Sequence, residues 1–231
     1  MTSWSLRVTA DGSHTVFSEP YQSTYHSMHG AWQESMHVFI QAGLFYVLEN
    51  HEYPRIRIWE MGFGTGLNAF LSWLVLQERP VHLDYLAIDL NPLPPSITNQ
   101  LNYPKLCKHP HAVRTFDAIH RAAWGQPFEI GPHFTLTKIQ TDLSHYHPEG
   151  AVDLIYFDAF GPGCQANLWS KQVVQEQILP LCQKGTILTT YSAQGLFRRN
   201  LQSTGFLVTK IPGPPGKREM IRAQFLGKQD Q

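Results

Sequence analysis

The chain has 231 residues, 42% of them hydrophobic, with 18 basic and 18 acidic side chains that leave a formal net charge of zero. That length supports one domain of ordinary α/β size with a full core, and the charge balance argues against indiscriminate nucleic-acid binding. No apolar stretch approaches the roughly 20 residues of a membrane span, and Met1-Thr2-Ser3-Trp4-Ser5 lacks the basic and apolar regions of a signal peptide.

Cys107, Cys164 and Cys182 are odd in number and show no CxxC spacing, so reduced thiols in a cytoplasmic protein are expected. The histidines are scattered. Pairs such as His26 and His29, or His145 and His147, lack the further partners of a zinc site, and no metal is expected.

Taken in chain order, residues 1–50 read as an N-terminal cap. Val16-Phe17 pairs locally, 21–30 is turn-rich and aromatic, and 34–48 carries helical spacing through Met36, Phe39, Ile40, Leu44 and Val47. A short strand at 56–60 then runs into Glu60-Met61-Gly62-Phe63-Gly64-Thr65-Gly66-Leu67-Asn68. Glycines at 62, 64 and 66 mark a turn where backbone comes close to a ligand. Leu67, Phe70, Leu71, Leu74 and Val75 recur at helical spacing behind it, so the unit is strand, glycine turn, helix over 66–77. A dinucleotide fingerprint requires GxGxxG to seat a pyrophosphate. Here Leu67 gives GxGxG, and Glu60 would repel a diphosphate. The turn suits a ligand bearing an ammonium group, such as the amino-acid end of S-adenosylmethionine; the alternative is a glycine-rich turn with no ligand.

The second strand, 83–89, ends in Asp89, roughly the ~20 residues past the turn at which an acid reaches a ribose diol. Asp89 could instead cap a helix beginning near Pro94. A helix is expected after Pro95 and another near 111–123. Asp142 ends a third strand at 134–141, where an adenine amino group would lie. The strand 152–157 is apolar throughout and delivers Asp158-Ala159-Phe160-Gly161-Pro162, followed by a helix at 168–181. An acid followed by an aromatic and a proline can hold an amine and stack a base, although Asp and Gly-Pro also suit a plain turn.

Strand 186–191, helix 195–203 and strand 206–211 complete the alternation, and the Pro212–216 loop leads into a last strand at 219–226. Alternation predicts a mainly parallel sheet covered on both faces, while a final strand after so short a loop runs antiparallel. Seven strands with the last reversed is the Rossmann-like α/β arrangement of class I methyltransferases, with 51–231 as that domain. The carboxyl ends of the strands then gather Asp89, Asp142, Asp158 and Tyr191 around one crevice. The loop holding Lys217 and Arg218 falls on the same edge. From Leu196 onward seven basic residues face two acids, which suggests a basic face.

Several of these segments together resemble one family. They are Tyr25-His26-Ser27 with Gly30 and Glu34-Ser35, Glu60 through Asn68, Asp158 through Pro162 with Trp169, Arg198-Arg199 with Gly205-Phe206, and Lys217-Arg218-Glu219-Met220. They look like the tRNA 5-(aminomethyl)-2-thiouridine methyltransferases, found as MnmD or as the N-terminal domain of bifunctional MnmC. The family often has Glu and Lys where this chain has Asp89 and Leu90.

The resemblance implies S-adenosylmethionine as cofactor, held by Glu60, Gly62, Gly64, Gly66, Asn68, Asp89 and Asp142. It puts Asp158 at the substrate amine with Phe160 and Pro162, and makes Tyr191 a candidate for shaping the pocket. It also implies a tRNA anticodon loop as partner, with Lys217 and Arg218 on phosphate near it. No second dinucleotide fingerprint occurs, so no flavin domain is expected in this chain. Aminopropyl transfer to a polyamine, another small-molecule amine methylation, C5-pyrimidine methylation with Cys164 as nucleophile, and a non-catalytic tRNA-binding module are the competing readings.

Overall fold

The computed structural model describes residues 4–50 and 54–227. Met1-Thr2-Ser3, the boundary expected at 50/51, and Lys228 and Asp230 of the basic segment lie outside the described residues. The N-terminal strands β1 (Trp4–Val8), β2 (His14–Ser18) and β3 (Ser23–Thr24) form a small antiparallel sheet. Val16 and Phe17 pair there with Leu6 and Ser5.

Eight further strands form one sheet: β4 (Arg55–Met61), β5 (His82–Asp89), β6 (Pro127–Gly131), β7 (Phe134–Gln140), β8 (Val152–Phe157), β9 (Cys182–Thr190), β10 (Phe206–Pro212) and β11 (Glu219–Phe225). Their spatial order is β10-β11-β9-β8-β4-β5-β7-β6. β7, β5, β4, β8 and β9 run parallel, and β11 is antiparallel to both β9 and β10. This is the expected class I methyltransferase sheet with one strand more. The expectation of seven strands missed β6, which folds back antiparallel on β7 at the edge. Its sequence, Pro127-Phe-Glu-Ile-Gly131, begins with proline and ends with glycine, residues depleted from strands and tolerated at an edge.

Burial follows the sheet. Every residue of the central strand β8 is buried, as expected where helices cover both faces. The helix Leu67–Leu76 buries Leu67, Phe70 and Leu71 almost completely, and each such side chain contributes ~1.5–3 kcal/mol.

The helix expected at 34–48 runs through Ala31–Ser35, Met36–Phe45 and Tyr46–Asn50, and its ten-residue middle part is π-helical. It packs on β8, β9 and β11. At Gly43 a Cβ would stand 3.2 Å from the Thr189 hydroxyl and 3.3 Å from the Tyr156 ring, so the glycine allows a close approach to the sheet. Val38, Phe39, Ile40 and Leu44 join the same hydrophobic core as β4 and β5. The N-terminal segment therefore shares the core of the rest of the chain.

From β4 the chain runs outward through β5 and β7 on one side, and from β8 through β9 on the other. The order reverses at β4/β8, which is where open α/β sheets place their ligand crevice, outside the carboxyl ends of the strands.

Candidate active site

A cavity of about 340 Å³ opens at that reversal. Its floor is the glycine turn after β4, one side is the end of β5, the other the Asp158 loop after β8, and its roof comes from the N-terminal segment.

The turn is built by backbone that side chains would block. Gly62 has φ +92°, and a Cβ there would lie 2.6 Å from the Asp158 carbonyl oxygen. Gly64 has φ +50°, and its Cβ would lie 2.9 Å from the Tyr25 ring. Gly66 adopts the left-handed conformation that starts the helix Leu67–Leu76; it serves the turn and does not line the cavity.

Asp89 lines the cavity and closes the turn. Its Oδ2 accepts from the Gly64 N–H and its Oδ1 from the Asn91 N–H, both at 2.8 Å. Burial raises its carboxyl above the usual range, against the pull of these two donors. It is no helix cap: the helix Pro95–Thr98 is capped by Pro94 without side-chain help.

Behind the turn lies a chain of carboxylates joined by one amide. Asn68 Nδ2 donates to Glu60 Oε1 and to Asp158 Oδ2, both at 2.8 Å. Glu60 is fully buried and does not itself reach the cavity. Burial and the Asp158 charge hold its carboxyl well above the usual range. Burial and the Glu34 carboxylate do the same to Asp158, with Asn68 and Lys217 pulling the other way. Both acids beside this one amide thus bind a proton more tightly than free carboxyls do.

The acceptor side is aromatic. Phe160 stacks on Tyr21 with ring centroids 4.4 Å apart and meets the edge of Tyr25 at 4.9 Å. The Trp169 indole donates to the Phe160 carbonyl, and Gln165 ties the loop to the Tyr21 hydroxyl at 3.2 Å. Tyr191 donates its hydroxyl to the Ala159 carbonyl at 2.8 Å, which fixes the residue after Asp158. With that proton committed and its acidity pushed down by burial, Tyr191 shapes the loop.

Cys164 points its thiol at the Tyr21 carbonyl, 3.5 Å away. Among the described residues no group of three His, Cys, Asp or Glu side chains could hold a metal, and no helix is long and apolar enough to cross a membrane.

Besides Glu60 and Gly66, which do not line the cavity, three of the expected site residues are not where the expectation put them. Asp142 does not line the cavity; its Oδ1 accepts from the Ser144 N–H and hydroxyl, at 2.8 and 2.6 Å, and caps its own turn. Pro162 lies beside the acceptor loop and outside the cavity lining. Lys217 turns inward, its Nζ 2.5 Å from Glu34 Oε1 and 3.7 Å above the Tyr191 ring, so it is part of the crevice wall, while Arg218 is exposed. In the basic segment, Lys210 pairs with Glu219 at 2.6 Å at the surface and Arg222 stacks on Tyr46, while Arg199 and Arg218 are also exposed.

Sequence reasoning quoted Tyr25 and Glu34 without a role and passed over Tyr21. Their aromatic and acidic character inside a turn-rich N-terminal stretch was the one signal available, since Phe160 and Lys217, which they meet in the crevice, lie more than a hundred positions away.

The cradle fits S-adenosylmethionine. A carboxylate stands at the strand end where a ribose would lie, the turn presents bare backbone, and the nearby acids suit an ammonium. Residues 129–225 match the model of a family described as S-adenosyl-L-methionine-dependent methyltransferases. The chain is 30% identical over 225 residues to the tRNA 5-methylaminomethyl-2-thiouridine biosynthesis bifunctional protein MnmC of Ralstonia nicotianae. That alignment covers 91% of this chain and 33% of the relative, so the chain spans about a third of the length of the curated relatives it matches. The crystal structure of MNMC2 from Aquifex aeolicus superposes with a TM-score of 0.80 at 21% identity, covering 100% of this chain and 73% of that one. A probable spermidine synthase from Corynebacterium glutamicum shares the fold at a TM-score of 0.52 and 11% identity, covering 97% of this chain and 77% of its own. Residues 129–225 are thus similar to S-adenosyl-L-methionine-dependent methyltransferases, and 91% of the chain is similar to a stretch that makes up 33% of MnmC.

Proposed function

We propose that the chain methylates the primary amine of an aminomethyl group on the wobble uridine of tRNA, giving the methylaminomethyl form. The observation that carries this reading is Asp158. It lines one side of the cavity, is bonded through Asn68 to Glu60, and stands beside the Tyr21–Phe160–Tyr25 aromatic wall. The relatives named for the biosynthesis of that nucleoside support the choice of substrate, and a tRNA substrate implies action in the cytoplasm.

S-adenosylmethionine, when bound, supplies an electrophilic methyl group. Asp89, Gly62 and Gly64 would hold it, with the Glu60 carboxyl behind the turn. The chain's own work is positioning and proton handling. A primary amine of pKa near ~10 is almost wholly protonated at neutral pH and must lose a proton before it can attack. Asp158 orients the ammonium by accepting its hydrogen bond. Because burial raises its proton affinity, Asp158 also takes up a proton more readily than an ordinary carboxylate. Tyr191 and Trp169 fix the backbone on either side of Phe160, so the acceptor loop keeps its geometry while the amine turns into line. The aromatic wall receives an unstacked base, the usual form in which single-stranded RNA is read.

The test is nucleoside mass spectrometry of aminomethyl-bearing tRNA after incubation with the protein and methyl-labelled S-adenosylmethionine. One labelled methyl on the wobble nucleoside is expected. Label on another nucleoside, or none, refutes the reading.

A further inference from the structure

One charge pair in the crevice has no part in the chemistry derived so far. Lys217 Nζ lies 2.5 Å from Glu34 Oε1, and the two side chains are 31% and 7% exposed. Both line the cavity beside Asp158. The second Glu34 oxygen accepts from the Ser27 N–H at 2.6 Å, which fixes the carboxylate in place. The Lys217 ammonium also sits 3.7 Å over the face of Tyr191, the residue whose hydroxyl holds Ala159. Its loop is seated on the N-terminal segment, because Gly216 leaves no room between itself and the His29 ring for a Cβ. Two distant stretches of chain thus meet at one partly desolvated ion pair, where charges act more strongly than at a surface.

We propose that Lys217 and Glu34 are positioning residues that set the protonation of the acceptor end of the crevice in opposite senses. Lys217 favours ionised Asp158 and a neutral acceptor amine, and Glu34 anchors Lys217 while offsetting its field. This rests on the amine-methylation reading.

The groups facing Asp158 allow the two effects to be read separately. Glu60 meets it through Asn68, with the Tyr85 phenol behind. Tyr191 and Cys164 flank the loop, and His26 faces the ion pair from the N-terminal side. His26 is pushed down to about 4 by burial and stays neutral through the working range. Burial pushes the Tyr85 and Tyr191 phenols up, so they stay neutral as well. The carboxyls that face each other across Asn68 are Asp158 and Glu60, which report as a coupled pair, and Asp89 acts on Glu60 from the end of β5. Glu34 raises and Lys217 lowers the Asp158 proton affinity. Deleting one charge or the other must move the midpoint in opposite directions, by about one pH unit, or tenfold in proton affinity. A merely structural role for the pair would give two similar losses and no such split.

The experiment measures kcat/KM for methyl transfer to tRNA against pH for the wild type, Lys217→Met, Glu34→Gln and Lys217→Arg. In parallel, carboxyl-carbon NMR titration of aspartate-labelled protein follows Asp158, identified by the signal lost in Asp158→Asn. In Lys217→Met the acid limb and the NMR midpoint should rise by about one pH unit; in Glu34→Gln both should fall; in Lys217→Arg both should stay. Midpoints that do not move, or that move the same way in both charge deletions, overturn the proposal. If Lys217→Met does not fold, judged by circular dichroism, Glu34→Gln decides alone: a midpoint that fails to fall overturns it. A wild type that leaves tRNA unmethylated sinks the proposed function instead, and the NMR midpoints still decide the coupling.

Discussion

Asn68→Ala isolates what the bridging amide contributes. The substitution removes two donors, each 2.8 Å from a carboxyl oxygen of Glu60 or Asp158, and leaves the fold's apolar contacts nearly intact. A hydrogen bond contributes ~0.5–1.5 kcal/mol when its acceptor is neutral and ~1.5–3 when it is charged. Because one amide serves both bonds, the sum is taken at about 2 kcal/mol with neutral acids and about 4 with ionised ones.

The sign of the pH dependence follows from the direction of the shifts. Both folded carboxyls bind protons more tightly than they do in the unfolded chain. Stability therefore falls as pH rises from the ordinary carboxylate range toward the folded values. Asn68 favours the ionised forms, so without it that fall continues to higher pH. For a chain of this size 1 kcal/mol moves Tm by ~2–4 °C. Differential scanning calorimetry should show Asn68→Ala melting about 4–8 °C below wild type at pH 5 and further below it at pH 8. A gap that is equal at both pH values would refute the reasoning, because it would mean that the amide does not act through the charge of the two acids.

Asp89→Ala should weaken S-adenosylmethionine binding by about 10–100-fold in isothermal calorimetry, the worth of one charge-assisted hydrogen bond; unchanged affinity would remove Asp89 from the cofactor site. Asp158→Asn keeps the shape of the loop and should cut methyl transfer by about 100-fold or more while leaving cofactor affinity within a few-fold; near-normal turnover would put the chemistry elsewhere. Gly64→Ala puts a Cβ against the Tyr25 ring at φ +50° and should cost about 1–3 kcal/mol in urea unfolding, whereas an unperturbed midpoint would show that the turn has slack. Lys138→Met removes the buried ammonium that donates to the Ile119 and His120 carbonyls at 2.9 and 3.0 Å. It should also abolish the rise in stability on going from about pH 8 to 10, a rise expected because burial lowers this lysine to about 8 and the folded state sheds its proton first.

The parts of the fold that local pattern dictates were legible in the sequence. Glycines 62, 64 and 66 placed the turn, continuous apolar residues placed β8, and strand ends placed Asp89 and Asp158 at one edge. The short loop before residue 219 correctly reversed β11. What escaped was set by contacts remote in sequence. β6 is a strand because β7 offers it an edge, not because proline and glycine favour extension. The π-helical stretch at Met36–Phe45 keeps an apolar face that reads as ordinary helix. Asp142 has the composition and position of a ligand acid, yet Ser144, two residues on, satisfies its carboxylate. Lys217 reads as one more cation in a basic run until Glu34 is brought beside it by the fold. Charge counts along a chain cannot distinguish a cation facing solvent from one turned into a crevice.

The ion pair between Glu34 and Lys217 joins residues 183 positions apart, and it has a consequence in time. A ribosome makes Lys217 only after every other residue that lines the crevice has left the peptidyl-transferase centre. The glycine turn, Asp89 and the aromatic loop are synthesised well before the wall that finishes their pocket. Chain growth at about 5–20 residues per second therefore leaves roughly 3–10 seconds in which a nascent chain holds the cradle but lacks its last wall. Competence arrives only when the late loop seats on the early segment.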